Sequence, residues 1–177
     1  MLIREALESD LDDVLAVESA AFGPEEIPEL VRDLTSDKSA EPLLSLLAVR
    51  DKRPVGHILF TKARLEPEAP VALSILAPLA VVPDTQRRGT GGKLVEYGLN
   101  LLRKRGVGLV FVLGHPGYYP RFGFRPAGDL GFEAAYPIPG KNADAWMVRE
   151  LQDGAAERYF GKVICADTLS RPQYWRE

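Results

Sequence analysis

The chain has 177 residues, of which 46% are hydrophobic, and its formal net charge is −3. This length and apolar content fit one domain, residues 1–177, whose core needs no disulfides. The small negative charge does not favour a nucleic-acid surface, and a single cysteine, Cys165, excludes a disulfide framework or a cysteine-rich metal site within the chain. No apolar run reaches the roughly 20 residues that span a bilayer, and the early Glu5 is not typical of a signal peptide. We therefore expect a cytoplasmic protein, monomeric or homodimeric, with no nucleic-acid, membrane or metal partner.

The first third of the chain predicts a strand, two helices and a hairpin. Ser9 and Asp10 are candidate caps of the first helix, whose apolar side includes Phe22. Pro28 suits the first turn of the second helix. The predicted elements are, in order, a strand over 2–6, helices over 11–21 and 28–35, and strands over 43–50 and 54–65 joined by a turn at 51–53.

The remaining elements complete a mixed sheet. Pro78 lies inside a long apolar strand, where it removes a ladder hydrogen bond, so we expect a bulge there. The predicted elements are a strand over 71–82, a helix over 91–105, a strand over 107–113, an irregular or briefly helical segment over 114–123 and a last strand over 145–151. This order predicts a mixed α/β fold with helices on both faces of the sheet, and a tail that packs on the body.

The segment Gln86-Arg87-Arg88-Gly89-Thr90-Gly91-Gly92 is the most informative stretch, because it joins an apolar strand to a helix. Such a turn can direct several backbone N–H groups at one phosphate, and the helix N-terminus adds a positive dipole end. The glycines let the backbone approach the ligand closely. The segment therefore predicts an anion site.

Two well-known phosphate motifs do not fit this segment. A P-loop needs Ser or Thr after its lysine, and Leu94 follows Lys93 here. A dinucleotide fingerprint needs a third glycine, which is missing after Gly89-x-Gly91. The remaining pattern, Gln/Arg-x-x-Gly-x-Gly/Ala, resembles the pyrophosphate loop of the GNAT N-acetyltransferases, which bind acetyl-CoA.

A second motif strengthens this resemblance. The stretch after the next predicted strand, 114–124, ends in Tyr119-x-x-x-Gly123-Phe124. In the GNAT superfamily this segment follows the second of two splayed parallel strands, and its tyrosine is a frequent general acid. The form of the motif, with Leu79-Ala80-Val81 upstream and Trp146-Met147 downstream, resembles the YhbS-like bacterial branch. The resemblance covers residues 3 to about 151 and implies a twisted mixed sheet of about seven strands, splayed between its two central parallel strands.

The resemblance implies an acyl-CoA-dependent N-acetyltransferase that moves an acetyl group from acetyl-CoA to a primary amine of a small molecule or a protein. A non-catalytic CoA-binding or interaction module on the same scaffold is the alternative. Many members carry an Asn where this chain has Gly114-His115-Pro116, so backbone groups or Tyr118 would replace that contact. The expected cofactor-binding residues are Leu79, Ala80, Val81, Val82, Gln86, Arg87, Arg88, Gly89, Thr90, Gly91, Gly92, Tyr118 and Tyr119.

Direct transfer needs a donor for the oxyanion and a proton for the thiolate. We expect the backbone N–H of Val81, or of its neighbour Ala80, to serve the oxyanion, and Tyr119 to serve the thiolate. No cysteine nucleophile is required. The base is open among His57, the acidic residues near the first helix (Glu18, Glu25 and Glu26) and a chain of waters.

Overall fold

The computed structural model describes residues 1–176 and shows a mixed sheet of nine strands with helices against both faces. The helices are α1 (Leu11–Phe22), α2 (Glu26–Thr35), α3 (Thr90–Lys104) and the short α4 (Ala155–Arg158). The strands are β1 (Leu2–Glu5), β2 (Leu44–Arg50), β3 (Arg53–Glu66), β4 (Ala72–Val81), β5 (Val107–Leu113), β6 (Arg125–Pro126), β7 (Phe132–Glu133), β8 (Trp146–Glu150) and β9 (Gly161–Ile164). The order β1-β2-β3-β4-β5-β8-β6 supplies the expected seven strands, and β9 joins β3 to β7 beside them. None of the helices described is long and apolar enough to cross a bilayer.

Two hydrophobic cores lie on opposite faces of the sheet, because successive strand residues point to opposite sides. On β3, Leu59 belongs to the core that includes Val14 of α1 and the buried side of α2, whereas Ile58 belongs to the core that buries α3. The sequence prediction of helices on both faces is confirmed.

The two central parallel strands, β4 and β5, separate halfway along. They pair from Ala72 to Ile75 of β4 and from Val107 to Phe111 of β5. Beyond Ile75, β4 pairs only with β3, while the end of β5 pairs with β8. The sheet therefore opens a gap beside the last residues of β4, which is the splay that the resemblance implied.

A bulge lies where Pro78 predicted it. Ile58 of β3 is opposite Leu79, but Phe60 is opposite Leu76, so the two residues Ala77 and Pro78 face the single residue between them on β3. A proline cannot donate to the ladder, and the extra residue bends its strand. The bulge lies just beyond Ile75, where the pairing of β4 with β5 ends.

Four local predictions are wrong. Neither Ser9 nor Asp10 caps α1 with its side chain, because the Asp10 carboxylate accepts from Leu7 N–H at 2.7 Å and pairs with Arg4. Phe22 is not in the core but is 52% exposed. The turn between β2 and β3 has two residues, since Arg53 already pairs with Arg50. The strand over 146–150 is not the last one, because the tail forms β9.

Candidate active site

A cavity of about 790 Å³ lies between the start of α3 and the segment that follows β5. This volume is typical of sites that hold a small molecule or cofactor. Both sequence motifs contribute to its wall. Of the residues expected to bind a cofactor, those lining the cavity are Leu79, Val81, Gln86, Arg87, Gly89, Thr90, Gly91, Gly92, Tyr118 and Tyr119.

The glycine-rich loop has the backbone of an anion site. Arg87 and Gly89 have φ of 63° and 83°, and the first backbone bond of α3 runs from Lys93 N–H to Gly89 C=O at 3.0 Å. The N–H groups of the three preceding helical residues, 90–92, have no carbonyl within the helix to bind. They lie at the positive end of the helix dipole, where an anionic group is stabilised.

Gly91 lets the Tyr118 side chain approach the loop closely. A Cβ placed on it would lie 2.8 Å from Tyr118 Oη, 3.6 Å from Val81 Cγ2 and 3.7 Å from Leu79 Cδ2. The neighbouring Thr90 hydroxyl is buried and has no hydrogen-bond partner among residues 1–176. The loop therefore brings unused hydrogen-bond donors and the Tyr118 hydroxyl together at one point of the wall.

The end of β4 presents its backbone to the gap in the sheet. Val82 N–H donates to Val55 C=O on β3 at 2.9 Å. Hydrogen-bonded pairs alternate along an antiparallel ladder, so the N–H of Ala80 is directed to β3 and that of Val81 is directed away from it. The Val81 carbonyl fits this alternation, because it accepts from Gln86 Nε2 at 3.0 Å. Of the two neighbours, Val81 is thus the one whose N–H faces the gap.

Tyr118 and Tyr119 occupy different parts of the cavity wall. Tyr119 is 8% exposed, and its ring packs edge-on against Tyr118 and Phe124, with centroids 5.1 and 5.6 Å apart. Tyr118 is half-buried and directs its hydroxyl at Gly91 in the loop. Burial raises the pKa of Tyr118, and the Arg121 guanidinium, 4.8 Å above its ring, opposes that rise. Both residues line the cavity, Tyr118 at the loop and Tyr119 beside Gly114 at the end of β5.

Several expected residues lie outside the cavity wall. Ala80 and Val82 are buried in the core, and the Arg88 side chain lines a separate hollow with Arg53 and Asp84. Glu25 and Glu26 are exposed at the start of α2.

His57 is fully buried rather than open to an acceptor. Its Nδ1 is 2.6 Å from Glu18 Oε2, and its Nε2 is 2.8 Å from Ser45 Oγ. Burial raises the pKa of Glu18, and the hydrogen bond and charge of His57 oppose that rise. The sequence analysis named Glu18 only as one of the acidic residues near the first helix. Its position four residues after Val14, on the buried side of α1, could have indicated that its side chain is buried.

The cavity also includes residues that the sequence did not assign to it. These are Phe22, Thr85, Lys93, Glu96, His115, Arg121 and Phe122. Lys93 and Glu96 follow the loop at helical spacing, which could have been predicted. Phe22 could not, because nothing in its pattern distinguished an exposed aromatic from a core residue. Among residues 1–176 no group of three His, Cys, Asp or Glu side chains is placed to hold a metal ion.

The sequence matches a family model described as the acetyltransferase (GNAT) domain over residues 2–127. The chain is 47% identical over 161 residues to the uncharacterized N-acetyltransferase YjhQ of Escherichia coli, covering 90% of this chain and 88% of that protein. It is 30% identical over 172 residues to the uncharacterized N-acetyltransferase YhbS of the same organism, covering 97% and 99% of the two chains.

Solved structures agree with the sequence relatives. The crystal structure of Escherichia coli YhbS in complex with CoA matches with a TM-score of 0.86 at 29% identity, covering 96% of this chain and 92% of that one. A GNAT family acetyltransferase from Brucella melitensis, in complex with acetyl-CoA, matches with a TM-score of 0.75 at 27% identity, covering 95% and 97%. With the splayed strands, the glycine-rich loop and the tyrosine segment in their places, the chain belongs to the GNAT acetyltransferase family.

Proposed function

We propose that this protein is an acyl-CoA-dependent N-acyltransferase that transfers acetyl from acetyl-CoA to a primary amine. The observation that carries the proposal is the cavity where the gap between β4 and β5 meets the glycine-rich loop. The relatives solved with CoA and acetyl-CoA have the same fold, which supports a thioester donor here.

The donor's pyrophosphate binds at the start of α3. The N–H groups of residues 90–92 and the Thr90 hydroxyl supply hydrogen bonds, and Gly91 lets the Tyr118 hydroxyl lie beside them. Arg87 and Lys93, which line the same cavity, supply positive charge. The pantetheine arm then lies along Leu79 and Val81, at the open edge of β4.

The chemistry is direct attack of the neutral amine on the thioester carbonyl. The N–H of Val81, aimed into the gap, stabilises the oxyanion as it forms. The C–N bond forms, the C–S bond breaks, and Tyr119 donates a proton to the departing thiolate. A phenol has an ordinary pKa of about 10, so it holds its proton at neutral pH and can give it to a thiolate.

The acceptor enters from the side of α1, where Phe22 forms an exposed part of the wall. Glu25 and Glu26 lie just beyond it at the start of α2 and favour a cationic amine, on a small molecule or a protein.

Calorimetric titration tests the donor half of this proposal. Acetyl-CoA and CoA should bind at one site per chain, whereas NAD and ATP should give no heat at the same concentrations. Thiol release from acetyl-CoA is then measured with a panel of primary amines. Absence of acetyl-CoA binding contradicts the proposal, and binding without thiol release for any amine favours the non-catalytic module.

A further inference from the structure

Three polar side chains form a hydrogen-bonded row beneath α1. Glu18 of α1 contacts His57 of β3, and His57 contacts Ser45 of β2, at 2.6 and 2.8 Å. Glu18 and His57 are both 0% exposed, whereas Ser45 is only partly buried. The row therefore runs from the interior of the domain to its surface.

The inner end of this row has an unused acceptor. Glu18 Oε1 is buried and has no hydrogen-bond partner within the described part of the chain. An unsatisfied buried oxygen costs free energy, and a carboxylate costs more than a neutral group. An apolar residue at position 18 would pack against the same core without that cost, so packing does not explain why a carboxyl stands there.

Glu18 lies close to the acceptor side of the cavity. It precedes Phe22 by four residues on the same face of α1, which is one turn, or about 6 Å along the helix axis. Phe22 lines the cavity. His57 is directly opposite Ala80 on β4, next to the residue whose N–H faces the gap.

The other surroundings of Glu18 contain few charges. The buried side of α2 is apolar, with Leu30, Val31 and Leu34, and β3 adds the neutral Thr61. Asp10, which precedes α1, is paired with Arg4. His57 is thus the titratable group that acts on Glu18, and burial raises the pKa of this carboxyl despite the imidazole. A buried carboxyl–imidazole pair with a raised carboxyl pKa takes up a proton more readily than an exposed carboxylate does.

We propose that the Glu18–His57 pair is the proton acceptor for the amine, with Ser45 positioning the imidazole. This inference rests on the proposed acetyl transfer. The acceptor arrives as an ammonium ion and gives one proton to the pair through Glu18 Oε1 across a chain of water molecules, because neither Glu18 nor His57 lines the cavity itself. The amine nitrogen then attacks, the C–S bond breaks, and Tyr119 protonates the thiolate. The amide nitrogen loses its second proton to re-protonate Tyr119, and the pair later releases its own proton to solvent, so each turnover liberates one proton.

The test compares two amines that differ in basicity. Glu18→Gln keeps the shape and an oxygen that accepts from His57, but it cannot take up a proton. With the best primary alkylamine of the panel, kcat/KM at neutral pH should fall about 100-fold. With hydroxylamine, which is already neutral, kcat/KM should stay within about threefold of the unmodified protein. Asp12→Asn removes an exposed carboxylate from the same helix and is the matched control. Equal losses with both amines, or no loss with the alkylamine, overturn the proposal.

A second measurement needs no acceptor. The chain has two histidines, so the ring nitrogens of ¹⁵N-labelled His57 are assigned by comparison with a His115→Asn variant. In the CoA-bound protein, the His57 signals should change with pH as the neighbouring Glu18 carboxyl, whose pKa burial raises, takes up its proton, and this change should vanish in Glu18→Gln. His57 signals that do not respond to pH overturn the proposed role of the Glu18–His57 pair. Acetyl-CoA titration of the same variants reports the donor site separately. Failure of the Glu18–His57 proposal can therefore be distinguished from failure of the proposed acetyl transfer.

Discussion

The donor and acceptor sides of this cavity are built in different ways. The donor side is a local structure, in which one loop between β4 and α3 supplies backbone N–H groups and the missing Cβ of Gly91. The acceptor side is assembled from distant segments, with Phe22 and Glu18 on α1 and His57 39 residues after Glu18. Binding of the donor therefore depends on backbone geometry, whereas proton transfer from the acceptor depends on side chains that only the fold brings together.

This difference predicts that substitutions on the two sides change different properties of the protein. Changes on the donor side should alter affinity and leave the fold intact, since the loop is exposed. Changes in the buried row should alter stability as well as chemistry, since its members lie in the core.

The largest expected effect is on stability, in His57→Leu. Removing the imidazole leaves the Glu18 carboxyl buried without its hydrogen-bond partner, and leaving one member of a buried pair uncompensated typically costs about 3–5 kcal/mol. Urea unfolding measures this loss. The double variant Glu18→Leu with His57→Leu should recover most of it, because neither polar group remains.

His115→Leu is the matched control, because it changes the other histidine at an exposed position. It should change the free energy of unfolding by less than about 0.5 kcal/mol. A His57→Leu variant as stable as this control would contradict the account of the buried row.

On the donor side, Gly91→Val should weaken acetyl-CoA binding about 100-fold, which is about 2.7 kcal/mol. A Cβ at this position would lie 2.8 Å from Tyr118 Oη, so the added side chain displaces the Tyr118 hydroxyl from the loop and narrows the cavity beside Leu79 and Val81. Titration calorimetry gives the affinity, and thermal unfolding should show a stability close to that of the unmodified protein.

Gly128→Val provides the comparison for this change. A Cβ at Gly128 meets no atom within 4 Å, and its φ is not in the left-handed region. It should bind acetyl-CoA normally. Equal affinities of the two variants would show that the loop does not hold the donor.

The difference between a local loop and a site assembled from distant segments also explains which features the sequence predicted. The loop motif, the bulge at Pro78 and the tyrosine segment are local patterns, and the structure has each of them where the sequence indicated. The buried row has no local pattern, because Glu18, His57 and Ser45 belong to three elements that pack together only in the folded domain. The strands β6, β7 and β9 were missed because strands of two to four residues carry too little periodicity.

The smallest expected effect concerns two carboxylates far from the cavity. Burial raises the pKa of Asp37, but hydrogen bonds from Ser39 and Thr168 together lower it to about 2. The hydrogen bond from Arg4 and that from Leu7 N–H likewise lower the pKa of Asp10 to about 2. Both folded-state values lie below the ordinary 3.8, so this stabilisation is complete above about pH 4 and is lost as the pH falls towards 2.

Asp37→Asn should therefore lower stability at neutral pH and flatten the acid limb of the stability curve. The urea concentration at the midpoint of unfolding, measured at a series of falling pH values, gives this pH dependence of stability. Acetyl-CoA affinity should not change, because Asp37 ties α2 to the C-terminal segment and not to the loop. An unchanged acid limb would mean that the Thr168 and Ser39 hydrogen bonds do not set this pKa.

The most direct measurement of the central claim compares Tyr119→Phe with Tyr118→Phe, using calorimetry for acetyl-CoA binding and thiol release for turnover. Tyr119→Phe should bind acetyl-CoA within about threefold of the unmodified protein and lose about 100-fold or more in turnover, because only the proton donor is removed. Tyr118→Phe should weaken binding more than it slows the saturated rate, because its hydroxyl points at the loop. Full turnover by Tyr119→Phe would contradict the claim that the loop anchors a thioester donor for protonation by Tyr119.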